Sequence, residues 1–176
     1  TFSLAGGAGA GGPMPRVFDD HYTQELQKQT DSALSLLKDR ADREQAILAN
    51  KNKNLLISDA EYMAKSISAS AAYSQESINI LEQQLKKQTE IRKAEQAELN
   101  KKLAKQTPGS DGYRKLKTEI DKRNNEQVTA EKATSDKITK IREDSFLEQE
   151  KRLQDIEGAT RKLSKAEEDF WAKAAN

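Results

Sequence analysis

A chain of 176 residues could hold one ordinary domain, but 35% hydrophobic, 34% charged and 5% aromatic residues supply too little apolar matter for a thick core. The 30 basic residues nearly balance 29 acidic ones, which removes both the large net charge typical of disordered chains and any global pull toward nucleic acid. The lack of cysteine excludes disulfides and thiolate metal sites, and no apolar run approaches the ~20 residues of a membrane-spanning helix.

Residues 1–18 are of a different kind from the rest. Gly6, Gly7, Gly9, Gly11, Gly12, Pro13 and Pro15 cannot hold a helix, since glycine costs backbone entropy and proline removes a donor. This stretch reads as a flexible, extended linker. Gly7, Gly9 and Gly12 satisfy G-x-G-x-x-G, yet no strand precedes them and two prolines come after, so a nucleotide site lacks its context. The opening at Thr1 without methionine, and an ending inside a helical pattern, suggest a segment of something longer.

A first helix is expected over 19–57. Asp19 and Asp20 are suitable caps, and Tyr22, Leu26, Ala33, Leu37, Ala41, Leu48 and Leu55 recur at helical spacing. Asn50, Asn52 and Asn54 weaken the pattern, so a kink or short loop is expected near 50–58, with Leu55, Leu56 and Ile57 packed into the corner. Ser58-Asp59-Ala60-Glu61 then offers a capping box. The second helix, 58–106, carries Ile67, Ala71, Ser74, Ile78, Leu81, Leu85, Leu99 and Leu103 on one rolling stripe. Its Ser/Ala-rich first half would admit another helix closely, and Arg92 falls on the stripe, where a polar group weakens the contact but fixes register.

The clearest break is the turn at 107–112, where Pro108, Gly109 and Gly112 suit a reversal and Thr107, Ser110 or Asp111 can cap the third helix. That helix, 113–176, places Tyr113, Leu116, Ile120, Ala130, Thr134, Ile138, Ile141, Leu153, Ile156, Leu163 and Phe170 on one side, and Gly158 could kink it. The fold class is therefore all-α: long helices with coiled-coil character, elongated, with a glycine-rich leading segment. The seam residues are Ile78, Leu81, Leu85, Leu99, Leu103, Leu116, Ile120, Ile138, Ile141, Leu153, Ile156, Leu163 and Phe170. The two longest helices can fold back as an antiparallel hairpin, or the turn can be a mere offset with identical chains running parallel in a bundle; so thin a strip, interrupted by polar groups, implies self-association either way.

No residue argues for catalysis, and neither cofactor nor metal is implied. His21 is the single histidine, and Asp19, Asp20 and His21 point different ways from a helix start. Glu167, Glu168 and Asp169 read as a solvated face without an apolar pocket to raise a carboxyl pKa. Residues 86–123 hold 12 Lys/Arg against 6 acidic residues, while 143–169 hold 9 acidic against 5 basic. The basic residues face several ways and alternate with acids, so no direct nucleic-acid contact is expected, and membrane contact is not indicated.

An alanine- and glutamine-rich chain of mixed charge, punctuated by a T-P-G-S-x-x-Y-x-x-L turn from Thr107 to Leu116 and carrying stretches such as 143–150 and 163–171, resembles the tape measure proteins of long-tailed, siphovirus-like bacteriophages. That resemblance implies a virion structural protein in the phage tail, setting tail length and sitting in the tube or tip until genome ejection. It also implies partners: further copies of itself (a trimer favoured), tail tube proteins and the tail-tip hub. Two alternatives stay open. One is a helical hairpin spacer or translocation segment of a secreted bacterial toxin. The other is the RNA-binding helical arm of an enzyme, with Lys101, Lys102, Arg114 and Lys115 as contacts.

Overall fold

The structure is a computed structural model that describes residues 20–174, with side chains from Tyr22 to Glu168. The glycine-rich segment, Asp19, the side chain of His21 and that of Phe170 lie outside the described residues. Three helices account for almost all of the rest: α1 (Asp20–Lys53), α2 (Asp59–Leu103) and α3 (Asp111–Ala174), with no strand among the described residues. The fold is all-α.

Each helix begins and ends where local chemistry dictates. The run Asn50–Asn54 frays α1 at Lys53, and Leu55 takes a left-handed φ of 57° that reverses the chain. Leu55 and Leu56 do not fill the corner: they are 91% and 71% exposed, because the reversal turns them outward. Ser58 starts α2 by accepting a 3.1 Å hydrogen bond from the Glu61 amide, while the Glu61 carboxylate is engaged by Lys65 at 2.6 Å. Ser110 caps α3 in the same way, accepting from the Tyr113 amide at 3.1 Å. Of the expected turn residues, Gly109 alone takes positive φ, at 83°. Gly112 already belongs to the first turn of α3. Nor does Gly158 kink α3, which runs through it unbroken for 64 residues, about 96 Å at 1.5 Å per residue.

α2 is the central element. It packs against α1 on one flank and α3 on the other, while the backbones of α1 and α3 do not approach. The α1 flank is Ser66, Tyr73, Ser77, Ile80 and Gln84, facing Leu26, Thr30, Ala33 and Leu37. The α3 flank is Ile78, Leu81, Leu85, Gln88, Arg92, Glu95 and Leu99, alternating in steps of three and four. Leu34 of α1 borders both apolar clusters, Ala33–Leu37–Ile80 and Ile78–Leu81–Ile138. Both pairings are antiparallel. Gln27 reaches Gln84 and Gln45 reaches Ser66 on one flank; Gln96 reaches Asn124 and Ser70 reaches Glu148 on the other.

That register has two consequences. α1 begins level with Ile91, so among the described helices only α3 lies beside α2 from Arg92 to Leu103. α2 begins level with residues 159–163 of α3, so the last dozen residues of α3 project past it by about 20 Å.

Candidate functional site

The most organised surface in the molecule is the seam between α2 and α3, and over its middle it is polar. Arg92 donates from Nε to Glu131 Oε1 at 2.7 Å. Arg123 donates from Nη1 to Glu95 Oε1 at 2.7 Å, and Gln127 donates to the other oxygen of the same carboxylate. Gln96 donates to Asn124, and the Thr134 hydroxyl, 4% exposed, reaches Gln88 Oε1 at 3.0 Å. Further along, Arg142 meets Glu82 at 2.7 Å. The Glu131 hydrogen bond, helped by charge attraction and opposed by burial, holds the Arg92 guanidinium above the ordinary arginine pKa. These groups sit in the steps of three and four that leucines occupy at either end, so the same helical geometry delivers them to the interface.

The α1 flank repeats the device more sparsely. Gln84, 1% exposed, donates to Gln27 Oε1 at 2.7 Å. Ser66 and Gln45 exchange two hydrogen bonds, and Thr30, fully buried, returns its hydroxyl to the Leu26 carbonyl at 2.8 Å. Among the described residues no buried side-chain nitrogen or oxygen lacks a partner. The polar groups are therefore consumed in holding helices together.

Chemistry has little to work with here. Glu95 is 3% exposed, but both of its oxygens are bound to cationic or amide donors from α3, so it cannot serve as a general base without breaking the seam. Among the described residues no group of three or more His, Cys, Asp or Glu is placed to hold a metal ion. No described helix is long and apolar enough to cross a membrane. An open groove of about 400 Å³ runs between α1 and α2, lined by Leu37, Leu48, Ala69, Ala72 and Tyr73 with Arg40, Glu44 and Lys65 at its edges. It lies where Ser68, Ala69 and Ala72 are too small to fill the space between the helices.

No protein-family model, curated protein or solved structure matches this chain.

The seam residues expected from the sequence divide by position. Ile78, Leu81, Leu99 and Ile138 are buried, and Leu85, Leu103, Leu116, Ile120, Ile141 and Ile156 are half-buried. Leu153 and Leu163 are 60% and 72% exposed. Leu153 is turned away from the Ile141–Ser145–Arg152–Ile156 stripe. Leu163 continues that stripe, but beyond the point where α2 ends. Ala130 is exposed as well, because Gln127, Glu131 and Thr134 occupy the facing positions. The sequence pattern missed Ile80, Gln84, Ser77 and Glu95, all buried. Ser77, Ile80 and Gln84 belong to a second flank displaced by one residue from the apolar stripe, signalled by the adjacent pairs Ser77–Ile78 and Ile80–Leu81, whereas Glu95 lies on the α3 stripe itself and its charge concealed it.

At the turn, Lys101, Lys102, Arg114 and Lys115 are exposed, and Lys102 stands 3.8 Å from Glu98. Their side chains spread around two helices and make no single cationic face.

Proposed function

We propose that this chain is a non-catalytic structural spacer, a segment of a tape measure protein carried in the tail tube or tip of a long-tailed phage virion and released with the genome. The observation that carries the reading is the polar α2–α3 seam, where Arg92, Glu95, Gln96, Arg123, Asn124 and Glu131 hold two long helices in register. Because such bonds replace bonds to water, the neutral ones contribute about 1 kcal/mol each and those between charged groups about 1.5–3 kcal/mol. Such a seam defines length and register without the large apolar interface that would resist later release. Backbone-stiffened helices also give a fixed rise per residue, which a ruler requires.

The test is a matched deletion in the parent protein: residues 85–98 of α2 together with 124–137 of α3, about four turns from each side of the hairpin. Tails measured by electron microscopy shorten by about 20 Å on this reading. Unchanged tail length overturns it.

The fold-back of α3 along α2 within one chain also suits a hairpin spacer in a secreted toxin. That reading expects a monomer in solution scattering, whereas the tape measure reading expects self-association.

A further inference from the structure

We propose that two copies of this chain join tail to tail, the projecting ends of α3 packing antiparallel on each other, to form a two-fold symmetric rod. The inference rests on the spacer reading and names its partner as a second copy. Three observations converge on it.

The first is the projection itself. α3 stays helical to Ala174, although the register leaves its last dozen residues without α2 beside them. Over that stretch α3 has no described helix beside it, which leaves it open to a neighbour. The second is the distribution of exposed apolar surface. Leu163, 72% exposed, extends the α2-facing stripe beyond α2, and Leu55 and Leu56, 91% and 71% exposed, stand in the α1–α2 connection at the same end. A partner tail running back along this one reaches that connection, so a single contact covers both groups.

The third observation fixes orientation. In chain order the tail reads Arg161, Lys162, Lys165, then Glu167, Glu168, Asp169. Laid antiparallel about a centre near Ala166, the basic block of each copy meets the acidic block of the other. Laid parallel and in register, like charges meet. Charges flanking a helix–helix seam select orientation in this way, and an isologous contact requires the self-complementary order. The same logic disfavours a parallel trimer at this end.

The closing experiment uses the full chain and reads mass by sedimentation equilibrium. Twice the 19.7 kDa chain mass is expected. Arg161→Glu/Lys162→Glu/Lys165→Glu alone and Glu167→Lys/Glu168→Lys/Asp169→Lys alone each give monomers, and mixing the two restores the dimer. Orientation is read by disulfide trapping, which is clean because the chain lacks cysteine. Ala166→Cys, at the centre, cross-links to itself; Ala159→Cys, about 20 Å from its symmetry mate, does not. A monomeric native chain, a trimer, or self-cross-linking of Ala159→Cys overturns the proposal. A trimer or self-cross-linking of Ala159→Cys overturns this pairing alone; a monomeric chain also counts against the tape measure reading, which tail length tests by itself.

Discussion

Arg123 Nη1 lies 2.7 Å from Glu95 Oε1, and the carboxylate it binds is 3% exposed at a position where a continuous apolar seam would carry leucine. Removing Glu95 takes the buried acceptor away from the half-buried Arg123 and Gln127 donors. Glu95→Ala should therefore lower unfolding free energy by about 2–4 kcal/mol. Replacing both members, as Glu95→Leu with Arg123→Leu, should recover most of that loss, since a packed apolar pair has no charge to desolvate. Urea titrations of the two variants and the parent chain decide the point. If the double variant is as unstable as Glu95→Ala, the pair contributes more than register.

The two capping serines give a second, independent check. Ser58 and Ser110 each accept a backbone amide hydrogen at 3.1 Å, from the residue three positions further along the chain. Ser58→Ala and Ser110→Ala should each cost about 1 kcal/mol, the usual value of an N-cap oxygen. Because the two sites belong to different connections at opposite ends of α2, their effects should add within ~0.5 kcal/mol in thermal or urea melts. Strong non-additivity would mean that the two ends unfold as one coupled unit.

Ser58 also shows what the sequence could disclose. Its capping role was legible because cap chemistry is local, and the same holds for Ser110, Gly109 and the existence of three helices. The position of Leu55 was not: apolar triplets usually pack, but here the reversal takes place on Leu55 itself and carries its side chain out. Burial of Gln84 and Glu95 was equally hidden, because polarity at a heptad-like position reads as solvent exposure until the partner groups Gln27 and Arg123 are known. Those partners lie between 28 and 57 residues away, beyond any periodicity signal.

Backbone conformation makes a third prediction with opposite signs at three positions. Leu55 holds a φ of 57° with its side chain 91% exposed, so Leu55→Gly removes strain and gives up almost no burial; about 1 kcal/mol of stabilisation is expected. Gly109, at φ 83°, should lose a similar amount on conversion to alanine even though no atom obstructs a Cβ there. Gly158 sits mid-helix with open space around its Cβ position, so Gly158→Ala should stabilise α3 by about 0.5–1 kcal/mol. Circular dichroism melts of the three variants separate the signs. A destabilising Gly158→Ala would place another chain against that side of α3.

The last prediction contrasts the two ends of the apolar stripe. Leu81 is 1% exposed and clusters with Ile78 and with Ile138 of α3 where Leu34 of α1 packs against them, so its truncation opens a void that neither helix can close alone. Leu81→Ala should cost about 3 kcal/mol and weaken both pairings together, seen as a single cooperative urea transition moved to lower concentration. Leu163→Ala, at a site 72% exposed, should change the unfolding of the dilute chain by less than ~0.5 kcal/mol. At high chain concentration the difference narrows from the other side, because anything that binds the folded form alone raises apparent stability and Leu163→Ala removes part of what is bound. On the proposed pairing Leu163 acts between molecules, whereas Leu81 acts within one. If Leu163→Ala lowers stability equally at all concentrations, the tail of α3 folds onto its own chain and has no surface left to offer.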